Sequence, residues 1–144
     1  MKLYHILMEL LFPPKCVLCR KVLKSGEQDL CRDCREEVPG YQKRKNTPQF
    51  LDSFAAVWYY EKSVRKSFLR YKFYGARSYA KPYGRLLAMK LLEEDVEFDL
   101  LTWVPVGRLR KIRRGYDQVE LLAKAVGAEL EMEPVPLLRK IRHN

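Results

Sequence analysis

Apolar side chains recur at helical spacing in three stretches of this chain and form short unbroken runs in three others. Val64, Phe68 and Tyr71 stand at i, i+4 and i+7, which predicts a helix capped by Ser63 and ended by Gly75. A second helix is predicted from near Pro82 to about Glu94, because Tyr83, Leu86, Leu87 and Leu91 share one face. The third runs from about Tyr116 to Val126, with Val119, Leu122, Ala123 and Val126 in register and Gly127 as its stop. The run "LDSFAAVWYYE" (51–61) is aromatic, contains β-branched Val57 and has no helical stripe, so it reads as one or two strands. "DLLTWVPV" (99–106) is too short for a helix and reads as a buried strand, and "EPVPLLRK" (133–140) suggests another. Strand, loop, helix, strand is the order of an α/β domain with a mostly parallel sheet. Ahead of it, "MKLYHILMELL" predicts a short amphipathic helix stopped at Pro13-Pro14.

Four cysteines fall within nineteen residues as Cys16, Cys19, Cys31 and Cys34, spaced C-x2-C-x11-C-x2-C. Two close pairs on tight turns, joined by a reversal at Ser25-Gly26, can aim four sulfurs at one centre, the donor set of a structural Zn²⁺. Lys15, Arg20, Lys21, Arg32 and Arg35 stand ready to offset a tetrathiolate's negative charge. A disulfide pair and a redox dithiol are the other readings of four thiols. A reducing compartment disfavours the first, and a redox motif needs no second copy at ribbon spacing. A closed shell of thiolates leaves no position for water, so the centre is expected to hold structure. The chain therefore divides into a zinc ribbon with its leading helix (1–40), a polar, proline-bounded linker (41–50) and an α/β body (51–144).

Charge changes this picture through its distribution. The formal net charge is +10. Residues 61–92 hold nine Lys/Arg against one acid, 107–115 hold five against none, and 93–106 hold five acids and no base. Cationic blocks of this kind attract nucleic acid, phosphorylated metabolites or anionic lipid, or else form a solvated face. Arg65, Lys66, Arg70 and Lys72 mark the polar side of the first predicted helix and are candidate DNA contacts. In "VPVGRLRKIRRGYDQ" the basic stretch is predicted to be a loop at a strand's carboxyl end, where open α/β sheets bind ligands. Arg108, Arg110, Lys111, Arg113 and Arg114, with Gly115 allowing close approach, would face phosphate or pyrophosphate oxygens there. The plainer alternative is a solvated basic turn capped by Asp117.

Taken together, the four-Cys ribbon, the segment "YEKSVRKSFLRYKFYG" and the segment "VPVGRLRKIRRGYDQVELLA" resemble the ComF (ComFC) family of late-competence proteins, which join a zinc ribbon to a type I phosphoribosyltransferase-like domain. The most specific element is the proline turn followed by Arg114-Gly115-Tyr116-Asp117-Gln118. The resemblance implies DNA uptake in natural transformation, handling of single-stranded DNA, and a fold that takes phosphoribosyl pyrophosphate with Mg²⁺. Asp117 stands where the family usually carries Asn. The family's downstream D-D-x-x-(T/S)-T-G-x-T motif, which holds ribose and 5′-phosphate, is absent from the sequence. The body is thus expected to be the N-terminal part of such a domain, with a missing C-terminal half and little or no phosphoribosyl transfer. No residue is assigned a catalytic role.

Three functions follow as expectations. The first is a competence factor that binds single-stranded DNA through the ribbon and the basic surfaces. The second is a phosphoribosyltransferase with Arg113 and Arg114 on pyrophosphate. The third is a module that docks on a helicase or another part of the uptake machinery. Without a cleavage site or an apolar stretch of spanning length, the protein is expected to be cytoplasmic, with no membrane span.

Overall fold

A computed structural model describes residues 11–42 and 49–141 of the chain. The expected N-terminal helix falls mainly on residues 1–10, and most of the expected linker on 43–48, outside the described residues. Among the described residues the helices with full bounds are, in order, α1 (Arg32–Glu37), α2 (Lys62–Phe73), α3 (Ala80–Glu93), α4 (Arg108–Arg114) and α5 (Gln118–Glu129), with a 3₁₀ turn at Arg77–Tyr79 leading into α3.

The three helices predicted from periodicity are α2, α3 and α5. In α2, Val64 and Tyr71 are buried as the stripe requires and Phe68 is partly so, but the cap differs. Glu61 occupies the N-cap position without a side-chain hydrogen bond, and Ser63 lies inside the first turn. Gly75 then takes the left-handed conformation, φ +68°, just past the C-cap Tyr74. Helix α3 carries Pro82 in its first turn, where a missing N–H costs no helical hydrogen bond. Helix α5 runs through Gly127 to Glu129 instead of stopping there, since Gly127 is buried against the carbonyl of Met132 and leaves no room for a side chain.

No parallel sheet forms among the described residues, which overturns the α/β expectation and, with it, the body as part of a sheet-based phosphoribosyltransferase-like domain. Two isolated antiparallel bridges are the nearest approach to one, Lys15 with Val22 and Gly40 with Trp58. The runs at 99–106 and 133–140 do lie side by side. Val135 N–H donates to the Leu101 carbonyl at 2.8 Å, and Leu137 N–H reaches the Thr102 hydroxyl at 3.4 Å. A ladder needs alternating donors on both chains, and Pro105, Pro134 and Pro136 have none. The predicted strand at 51–61 is likewise an extended segment, held by the Trp58 bridge and by Tyr41 N–H donating to the Val57 carbonyl at 2.9 Å.

What the helices pack on is each other and the cysteine turns. Helices α3 and α5 come so close that a Cβ at Gly84 would sit 2.5 Å from Ala125 Cβ. On α3's other side, Tyr83, Tyr71, Phe68, Tyr79 and Tyr116 form a cluster of rings with centroids 5.6–6.4 Å apart. That cluster is continuous with Cys16, Val17, Leu18, Leu30, Cys31 and Cys34, so the ribbon and the helices share one hydrophobic core.

Candidate metal centre and nucleic-acid interface

The first cysteine pair sits on a turn closed by two backbone hydrogen bonds, Cys16 N–H to the Lys21 carbonyl (2.8 Å) and Arg20 N–H to the Cys16 carbonyl (2.9 Å). The second pair sits on the start of α1, with Cys31 at the N-cap position and Cys34 in the helix, where a tight turn had been expected. The reversal between them falls at Ser25-Gly26, where Gly26 has φ +84°. Glu27 locks it to α1, its carboxylate accepting from the backbone N–H of Lys24 (2.7 Å) and of Arg32 (2.8 Å).

These elements bring the four sulfurs together, all within 4.8 Å of one another, with Cys19 and Cys31 Sγ 3.5 Å apart. A tetrahedral Zn²⁺ with Zn–S bonds of ~2.3 Å sets its sulfurs about 3.8 Å apart, so the residues fit that ion. The thiols also show why a cation belongs there. Burial pushes the Cys16 thiol up, but the backbone amides of Cys19, Cys31 and Leu18 outweigh it and bring the group down to about 7. Burial, then the neighbouring thiols, push Cys34 up. A divalent ion at the centre of the four sulfurs would bind them as thiolates.

Several side chains hold the first turn against the helices. Ser67 Oγ donates to the Val17 carbonyl and shares a hydrogen bond with Tyr83 Oη at 2.6 Å. The Arg70 guanidinium donates to the Val17 and Leu18 carbonyls and to Tyr79 Oη. Arg85 forms a two-point ion pair with Asp29, both side chains largely buried. Of the expected counter-cations, Lys21 is engaged by Asp33 at 2.6 Å and Arg32 by Glu36 at 2.8 Å.

The four candidate DNA contacts on α2 do not act alike in this arrangement. Arg65 and Lys66 are exposed, Arg70 is turned onto the cysteine turn, and Lys72 reaches the helix's C-terminal end. There it meets the stretch expected to be a basic loop, which is the helix α4. Arg, Leu and Lys favour helix, and Gly107 and Gly115 bracket the seven residues, Gly115 at φ +74°. The predicted lip at the carboxyl end of a strand is therefore corrected to an exposed short helix that no strand enters.

Helix α4 divides its cations between two grooves. Arg110, Arg113 and Arg114 line a cleft of about 620 Å³ whose opposite wall is Lys72, Phe73, Tyr74 and Gly75, with Tyr116 also contributing. No carboxylate is among its lining residues. Arg114 lies 4.9 Å from the Phe73 ring centroid and Lys72 lies 5.4 Å from it. Phe73 is 56% exposed and Tyr74 78%. Arg108 and Lys111 face the other way, into a broader groove that also contains Trp103. Tyr71 is core, as its place in the apolar stripe of α2 expected. Sequence reasoning missed Arg77, which stacks over Tyr116 at 4.7 Å and donates to the Gly115 carbonyl at 3.2 Å, fixing the end of α4. Nothing in local spacing pairs residues so far apart.

Asp117 is 4% exposed and spends its carboxylate on backbone: Oδ1 accepts from Val119 and Glu120 N–H (3.0 and 3.2 Å) and Oδ2 from Val106 N–H (2.9 Å). It caps α5, as the plainer reading of this stretch expected. The strand-end crevice expected for phosphoribosyl pyrophosphate does not form among the described residues. Among the described residues no helix is long and apolar enough to cross a membrane.

Compared with known families, residues 7–45 match the model of the Double zinc ribbon domain. No curated protein and no solved structure matches the chain. The match places a zinc ribbon at residues 7–45, and within it Cys16, Cys19, Cys31 and Cys34 are positioned to hold a metal ion, an arrangement consistent with structural zinc.

Proposed function

We propose that the protein binds single-stranded nucleic acid in the cleft between the end of α2 and helix α4, with the zinc ribbon bracing α2 from behind. The carrying observation is the lining of that cleft: four cations, three aromatic rings and no acid. Single strands are held by just this pairing, cations along the backbone and rings under unpaired bases, and it needs no sequence readout. Duplex offers its phosphates but not its base faces, so the exposed rings favour the unpaired form. The resemblance to ComF proteins supports a finer reading, that the bound strand is DNA entering a transformable cell and that the protein works in the cytoplasm. A transformation assay with Arg113→Ala/Arg114→Ala tests the cellular role.

The binding itself is tested by fluorescence anisotropy with a labelled oligonucleotide. If the four cleft cations contact phosphates, log affinity falls with log salt with a slope of about −2.8, at ~0.7 per contact for single strands. Phe73→Ala/Tyr74→Ala should weaken binding with little change in that slope, by ~1–3 kcal/mol for each base that stacks. Affinity indifferent to salt, or a duplex bound more tightly than the single strand, would overturn the reading.

A further inference from the structure

The cations of "RLRKIRR" were expected to act as one lip, and the helix separates them onto two flanks. Arg110, Arg113 and Arg114 belong to the aromatic cleft, and Arg108 and Lys111 to the broader groove of about 980 Å³ behind it. The crest between carries Leu109 and Ile112, 69% and 75% exposed. The second groove, like the first, combines cations with an aromatic ring. It has a half-buried ring, Trp103, and three cations, Arg108, Arg139 and Lys140, with no ion-pair partner among the described residues. Its two acids are already committed: Asp117 caps α5, and Glu120 bridges Lys111 at 3.1 Å and Lys124 at 2.7 Å. With five cations and two acids in its lining, the groove keeps a positive balance towards whatever enters it.

We propose that α4 is a saddle, and that a single strand seated in the aromatic cleft continues across Leu109 and Ile112 into the second groove, where Arg108, Arg139 and Lys140 hold its phosphates and Trp103 takes a base. This rests on the reading of the first cleft given above and extends its footprint. The crossing is short. A helix with its side chains is ~10–12 Å across, and a strand advances ~3.4 Å per nucleotide when stacked, so roughly three or four nucleotides span the crest. An apolar crest suits the crossing, since bases can lie over Leu109 and Ile112 while the cations on either flank meet the backbone.

The test uses the full zinc-loaded chain and labelled oligothymidylates of about five and about fifteen nucleotides, within the range of single-strand sites. The short probe fills one cleft, and the long one reaches both. Arg139→Ala/Lys140→Ala should leave the short probe's affinity unchanged and weaken the long probe, lowering its salt slope by about 1.4, at ~0.7 for each lost contact. Arg139→Glu/Lys140→Glu should enlarge the loss on the long probe alone. Equal loss on both probes, or none on the long one, overturns the saddle. If the short probe binds in a way that depends on Arg113 and Arg114 while the long one gains nothing from Arg139 and Lys140, the first cleft stands and only the saddle falls. If neither probe binds, the reading of the first cleft falls and takes the saddle with it.

Discussion

Arg65 and Arg70 stand five residues apart on α2 and carry the same charge, yet their surroundings give them opposite work. Arg70 hydrogen-bonds two carbonyls of the first cysteine turn, and Arg65 faces solvent. Hydrogen bonds from a charged donor to partly buried carbonyls each contribute ~1.5–3 kcal/mol, whereas exposed substitutions usually fall within about 0.5 kcal/mol. Arg70→Ala should therefore lower the thermal midpoint measured by circular dichroism, and Arg65→Ala should leave it in place. The cysteines give a sharper residue-scale outcome. Cys34→Ser removes one ligand from the cluster, so metal content measured by elemental analysis should fall from one ion per chain towards none.

Helix α5 depends on two contacts that a single atom would spoil. Asp117 uses both carboxylate oxygens as acceptors, for three backbone N–H groups. Asn has only one oxygen, and its amide would meet the Val106 N–H donor to donor. Asp117→Asn should thus destabilise the protein by ~1 kcal/mol, as expected for a damaged cap, read as a shifted denaturant midpoint at unchanged m-value. Against α3, a Cβ at Gly84 would fall 2.5 Å and 2.7 Å from Ala125 Cβ and C. Gly84→Ala must push the helices apart, at ~1–3 kcal/mol for overpacking, despite alanine's better helix propensity. A rise in stability for that variant would contradict the close α3–α5 contact.

For the whole molecule, the cysteine turn serves as core. Cys16, Val17 and Leu18 are 0–1% exposed and continuous with Tyr71 and Tyr83. Structural zinc supplies folding free energy directly, an apparent ~10–16 kcal/mol in small zinc-finger peptides. Chelation should therefore do more than loosen the ribbon. Helical ellipticity from α2, α3 and α5 should be lost in the same transition as the metal, and the cleft with it. A chelated protein that keeps its full helical signal would show that the helices stand without the ribbon.

The sequence by itself determined the features carried by local spacing: three amphipathic helices within a few residues of their ends, the C-x2-C pairs with their reversal at Gly26, and the density of cations before Tyr116. Each follows from residues close in the chain, where a period of 3.6 or a fixed ligand interval is enough. Tertiary structure alone decided what those pieces face. The expected sheet needed a neighbour for 99–106 that its prolines and those of 133–140 do not provide, and the helices buried their stripes against one another and the cysteine turn instead. The basic stretch coiled into a helix, which dealt its cations to two grooves, and Arg70 turned from a surface charge into a core brace. Such assignments depend on contacts between residues tens of positions apart, and local pattern carries no record of them.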